Sequence, residues 1–146
     1  MRIESSAFES GAEIPSRFTC DGESINPPLI FKIVPENAKS LALIVDDPDA
    51  PSGIWVHWVL WNIPPTVTEI KEGSTPAGAV AGINSGSKNA FSAPCPPGGI
   101  HRYFFKLYAL DKVFDLPATS TSEDLSNAME GHIMSESRLM GIYQKK

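Results

Sequence analysis

Proline and glycine constrain this chain more than any other feature. Thirteen prolines and eleven glycines are spread over 146 residues, and each proline fixes φ and removes a donor while each glycine frees the backbone. They cut the chain into short pieces rich in Val, Ile, Leu, Phe, Tyr and Trp, which is how strands bounded by turns read. Strands are expected at 29–34, 40–46, 55–63, 79–83 and 103–110. The second and last are nearly unbroken apolar runs, which suits the buried middle of a two-layer sandwich.

One helix is expected. Thr121 to Asp124 forms a capping-box-like start, and Leu125, Ala128 and Met129 then recur at i, i+3 and i+4. Gly131 ends or interrupts it. Residues 133–143 are apolar at intervals that leave helix and strand both open. With no internal repeat, low-complexity tract or linker, residues 1–146 read as a single domain, long enough to bury roughly 70% of its unfolded surface.

Composition narrows the function classes. A 42% hydrophobic and 20% charged content is that of an ordinary globular protein. The formal net charge of −5 argues against nucleic acid or anionic lipid as a partner, since both need clustered Lys and Arg to displace counterions. Glu4 and Glu9 stand where a signal peptide would carry its apolar run, and no stretch of 18 apolar residues occurs, so a cytoplasmic protein without integral membrane association is expected. Cys20 and Cys95 lack CxxC spacing, so neither a metal site nor a redox motif is expected, and in a reducing cytosol both would be free thiols.

Three polar clusters lie beside expected strand ends, where loops place functional groups on a rigid scaffold. Asp46-Asp47-Pro48-Asp49-Ala50-Pro51-Ser52-Gly53 closes a buried strand with three carboxylates; a solvated turn has the same composition. In Trp55-Val56-His57-Trp58-Val59-Leu60-Trp61, alternation puts Trp55, His57, Val59 and Trp61 on one face. His57 is then either a hydrogen-bonded core residue or half of a site that a second polar group completes. The third cluster, Ala93 to Tyr103, joins prolines to the pair Gly98-Gly99, so it should hold one shape and bring backbone N–H groups near a ligand. His101 and Tyr103, two apart, point to the same face; a stiff turn with Tyr103 in the core is the alternative.

Asp47-Pro48-Asp49-Ala50-Pro51, His57-Trp58-Val59, Pro94-Cys95-Pro96-Pro97-Gly98 and His101-Arg102-Tyr103, in this order and at these distances, resemble the phosphatidylethanolamine-binding protein family, whose animal members include the Raf kinase inhibitor protein. Supporting matches run along the chain: Ile14-Pro15, Thr19-Cys20-Asp21-Gly22, Pro27-Pro28-Leu29, Ala38-Lys39-Ser40-Leu41 and Gly131-His132-Ile133. The compact spacing resembles the bacterial and archaeal branch. The resemblance implies a mainly β protein, an antiparallel β-sandwich with a short C-terminal helical segment. It also implies a small pocket for phosphate-like, phosphoethanolamine-like or carboxylate anions, lined by Asp47, Ala50, Pro51, His57, Pro97, His101 and Tyr103. By the same resemblance Pro48 and Pro51 are candidates for cis peptide bonds, a homodimer is expected, and inhibition of a kinase or serine protease is the regulatory role. No cofactor and no metal are implied. Asn26 stands where the family commonly has Ser, Ala93 where it has Gly, and residues 84–91 lack a tryptophan expected near the pocket mouth.

The expected function is therefore a small-anion-binding regulatory protein. Two imidazoles, a phenol and the N–H groups of the Pro-Gly loop would converge on the anion, Asp47 would orient a histidine by accepting its second N–H, and Arg102 would tie down Asp49 or Asp46. Both histidines would take up a proton on binding, so affinity would climb as pH falls through about 6.5. A hydrolase built on Asp47 and a histidine is the alternative, but no His-x-His, HExxH or Gly-x-Ser-x-Gly occurs, and Ser85 sits in an Asn-Ser-Gly turn. A third reading is a structural interaction protein with its histidines scattered in the core.

Overall fold

A computed structural model describes residues 1–146. Its framework is a five-stranded antiparallel sheet. Three of its strands are the long apolar runs, β3 (Ser40–Asp47), β4 (Trp55–Ile63) and β7 (His101–Leu110); the edges are β6 (Val80–Ala81) and β8 (Ile133–Tyr143), giving the order β6-β4-β3-β7-β8. A smaller antiparallel sheet packs over one face, built from β1 (Arg2–Glu4), β2 (Leu29–Lys32) and β5 (Glu69–Ile70) in the order β1-β2-β5.

β3 is central and every one of its residues is buried. The period-2 alternation of the strand explains why: Leu41, Leu43 and Val45 enter the core between the sheets, with Leu29, Phe31, Phe105 and Leu107, while Ala42 and Ile44 enter a second core on the opposite face. That second core is covered by α1 (Ser122–Met129), which buries Leu125 and Met129 against Val59, Trp61, Leu110 and Phe114. The expected cap is present: Thr121 Oγ1 accepts from Asp124 N at 3.3 Å, and Asp124 Oδ2 accepts from Thr121 N at 2.9 Å. Gly131, at φ 81°, turns the chain out of the helix.

The short strands are where sequence periodicity fails. β1 and β5 each send one side chain, Ile3 or Ile70, into the core, too few to define a period. β2 stops at Lys32 rather than 34 because exposed Ile33 takes φ 56°, a left-handed conformation unusual for a β-branched residue. The strand expected at 79–83 shrinks to Val80–Ala81 because the chain then leaves the ladder: Gly82 N donates to Val59 O and Ile83 N to Ser120 O. Residues 133–143, left open by their pattern, form the longest strand, paired with β7 from Ile133 to Tyr143. Its fully buried apolar side chains, Leu139 and Tyr143, lie in its second half, with Met134 only partly buried against the same core, while Ser137 accepts from Ile3 N. The helix therefore precedes a final edge strand rather than ending the fold.

Two further expectations are corrected. The peptide bonds before Pro48 and Pro51 are trans, as are all others. Cys20 and Cys95 are not free thiols but form a disulfide, because Cys20 N donates to Pro94 O at 3.1 Å and this contact brings the two Cα atoms to 5.4 Å. No helix is long and apolar enough to cross a membrane.

Candidate functional site

β3 runs out at Asp47 where β4 begins at Trp55, its registered partner, and β7 enters beside them at His101. Antiparallel pairing thus gathers the three polar clusters at one end of the large sheet. The alternation expected along β4 is broken there. Its register moves from Val45 opposite Trp58 to Asp46 opposite Val56, so His57 is the extra residue of a bulge and the strand's phase shifts by one. His57 consequently turns away from Val59 and Trp61, which pack under α1, and packs between Trp55 at 4.5 Å and Tyr103 at 5.3 Å, centroid to centroid.

The result is a cavity of about 290 Å³. All seven residues named from the sequence line it: Asp47, Ala50 and Pro51 from the turn after β3, His57 from β4, Pro97 from the Pro-Gly loop, and His101 and Tyr103 from β7. Trp55, Ala93, Cys95 and Pro96 line it as well. Trp55 was readable, since it shares a face with His57 two residues away; Ala93, Cys95 and Pro96 flank Pro97 on the same loop and carried no separate signal.

Asp47 is 3% exposed and both of its oxygens are engaged, Oδ1 by Asp49 N at 2.7 Å and Oδ2 by His101 Nδ1 at 2.6 Å. The histidine that Asp47 orients is therefore His101, 5% exposed, whose Nε2 is left for the cavity. His57 is held differently. Its Nδ1 lies 2.7 Å from Ser92 O, and because a carbonyl only accepts, this nitrogen carries the proton. Burial holds the His57 pKa below its ordinary 6.5, opposed by the Ser92 bond and the charges of Asp47 and Asp46. His57 thus departs from the expectation that both imidazoles would charge together near neutrality.

The segment lacking the expected tryptophan has another task. Asn84 Nδ2 donates to Ser92 Oγ, to His57 O and to Ala90 O, while its Oδ1 accepts from Gly86 N and Lys88 N. It fixes the carbonyl that fixes His57, a role with no sequence signature. Arg102 ties down Asp49 rather than Asp46, through Nε, Nη2 and its own backbone N at 2.8–2.9 Å, and the guanidinium pulls the Asp49 pKa down to about 2. Asp46 instead accepts from Lys106 Nζ at 2.9 Å. Burial, with the charges of Asp47 and Asp49, pushes the Tyr103 phenol up, so its O–H stays a donor. No lysine or arginine lines the cavity.

Residues 4–144 match the family model described as phosphatidylethanolamine-binding protein. A UPF0098 protein of Methanothermobacter thermautotrophicus is 51% identical over 150 residues, covering 99% of each chain. A Chlamydia trachomatis protein, solved as a phosphatidylethanolamine-binding protein homolog, superposes with a TM-score of 0.96 at 43% identity over 99% of this chain and 97% of that one. An Escherichia coli protein, solved as a member of the mammalian family of that name, gives 0.92 at 29% identity over 99% and 98%.

Proposed function

The chain belongs to the phosphatidylethanolamine-binding protein family, and from that premise we propose that its cavity binds a small oxyanion, phosphate-like or phosphoethanolamine-like, as a regulatory rather than catalytic act. One observation carries the reading: a buried carboxylate, Asp47, is bonded at 2.6 Å to His101, whose other nitrogen is left on the wall of a cavity with no other cation. The carboxylate is a built-in counter-ion for an imidazolium, so a His101 that carries both protons is not an unpaired buried charge and can donate a charge-assisted hydrogen bond to the anion. Tyr103 adds a second donor. Trp55, Pro51 and Pro97 offer apolar walls for whatever the anionic head carries.

Turnover has less support. No serine or threonine lines the cavity, and the sulfur of Cys95 is committed to its disulfide, so no Ser, Thr or Cys nucleophile stands beside the His101–Asp47 pair. The regulatory target in this proposal is a kinase or serine protease that presents a phosphorylated or acidic group.

Calorimetric titration with inorganic phosphate and phosphoethanolamine from pH 5 to 8 tests the reading. Affinity should rise toward the acid end, and His101→Ala should weaken binding by roughly ten- to a hundredfold at pH 6. Binding that is absent, or indifferent to His101→Ala, would make the histidines packing residues and return the protein to the structural reading.

A further inference from the structure

The two imidazoles of the cavity both donate through Nδ1, but to acceptors of different charge. His101 gives its Nδ1 proton to a carboxylate. His57 gives its Nδ1 proton to a carbonyl, and that carbonyl belongs to Ser92, which Asn84 anchors in turn. Turning the His57 ring over would break this 2.7 Å bond between the flanking rings of Trp55 and Tyr103, so the free nitrogen is Nε2.

A proton on that Nε2 would find no counter-ion. The nearest acids, both on β3, are engaged: Asp47 by His101 and Asp49 N, and Asp46 by Lys106. β7 presents His101 and Tyr103, the start of β4 presents Trp55, and the 84–92 segment presents a carbonyl while its one charged residue, Lys88, is exposed. Burial without a paired carboxylate leaves the ring neutral, in line with its lowered pKa. A neutral Nε2 is an acceptor only. Facing a bare oxyanion, two lone pairs would oppose each other; facing an O–H, the same nitrogen makes a bond.

Resting on the anion-binding reading above, we infer that the cavity selects oxyacid monoanions that retain an O–H, such as phosphomonoester or phosphonate monoanions, with His57 Nε2 accepting that proton and His101 with Tyr103 holding the charged oxygens. The site therefore recognises a ligand's protonation state as well as its charge. Sulfate esters and phosphodiesters carry the same single charge but no proton to give, and a site built around a hydrogen bond discriminates strongly against a ligand that cannot make it.

Methyl phosphate and methyl sulfate make the test, being nearly equal in size and both monoanionic at pH 5.5, since the second proton of a phosphomonoester leaves near pH 6. Titration calorimetry of the whole protein should give methyl phosphate at least tenfold tighter binding than methyl sulfate at pH 5.5. That preference should collapse at pH 8, where methyl phosphate has lost its proton. His57→Gln, whose amide both donates and accepts, should bring the two ligands within about threefold of each other while both still bind. Equal affinity for the two ligands at pH 5.5 in the unaltered protein, with binding measurable, would overturn this inference and leave the anion reading standing. No binding of either ligand or of phosphate would overturn both.

Discussion

At the residue scale, a carboxylate against one imidazole and a carbonyl against the other divide the pocket's labour, and each partner can be tested alone. Asp47→Asn keeps the volume but replaces an accepting oxygen with a donating amide, so His101 loses either its Nδ1–H bond or its counter-ion. Phosphate affinity should fall by about tenfold and its pH profile should flatten, as calorimetry at pH 6 and 8 would register. His57 makes a different prediction. Its folded pKa lies below the unfolded value near 6.5, so the unfolded chain takes up the proton first. The neutral buried ring therefore contributes stability above pH 6.5 that is lost progressively as pH falls below it. Urea unfolding at pH 7 and pH 5 should show that loss, and His57→Gln should reduce the difference. For Asp49 the depressed pKa of about 2 contributes above the unfolded value near 4 and is lost between there and pH 2. Its pair with half-exposed Arg102 is solvent-screened, so Arg102→Ala should lower stability only slightly at pH 7 and almost not at all at pH 2, as urea unfolding at the two pH values would show.

At the scale of elements, the helix cap and a strand end give contrasting costs. Thr121→Ala removes one arm of the reciprocal cap on an exposed helix terminus, and chemical denaturation should report a loss of about 1 kcal/mol. Gly82→Ala has nowhere to put its methyl. The added carbon would stand 2.5 Å from the Trp61 ring and 2.6 Å from the backbone oxygen of Ser120, so the end of β6 and the start of α1 must separate. The cost should reach the upper part of the 1–3 kcal/mol range of overpacked sites. A change below 0.5 kcal/mol would mean that this edge of the sheet is softer than its contacts indicate.

At the scale of the whole molecule, the disulfide is the long-range tie. It spans 75 residues, joining the turn after the N-terminal 3-10 helix (Ser16–Phe18) to the loop that lines the cavity. The next residue, Asp21, accepts from the Tyr143 hydroxyl, Lys145 Nζ and Lys146 N, and Tyr143 is the β8 partner of His101. The C-terminal end and the Cys20–Asp21 turn therefore converge on one side of the pocket. Replacing both cysteines by serine should lower stability by about 2–4 kcal/mol, and a dithiol reductant, which can reach both exposed sulfurs, should weaken anion binding by freeing the loop. Intact mass two units low without reductant would verify the bond in the purified protein. At this scale we also propose a homodimer, for which exposed Ile54 and Ile100 offer apolar contact area beside the pocket entrance strands. A monomer mass by light scattering at tens of micromolar would dismiss it.

Much of this molecule was legible in the sequence because it is local. Apolar runs between prolines marked β3, β4 and β7, Thr121 and Asp124 marked the start of α1, and the order of the Asp-Pro, His-Trp and Pro-Gly clusters marked the seven residues that meet at the cavity. Only the tertiary structure decided which histidine received the carboxylate, which face His57 took, whether 133–143 was a strand, and that two cysteines 75 residues apart were joined. Each of these depends on register between segments remote in sequence. A single extra residue in β4 reverses a face assignment that period-2 reasoning makes with confidence of pattern but no knowledge of the neighbouring strand. The serines that β8 turns inward erase its own period, and what identifies it as a strand is the ladder of hydrogen bonds offered by β7. Composition and local pattern specify the pieces, whereas hydrogen-bond pairing across the fold sets the phase, partner and charge of the groups that do the chemistry.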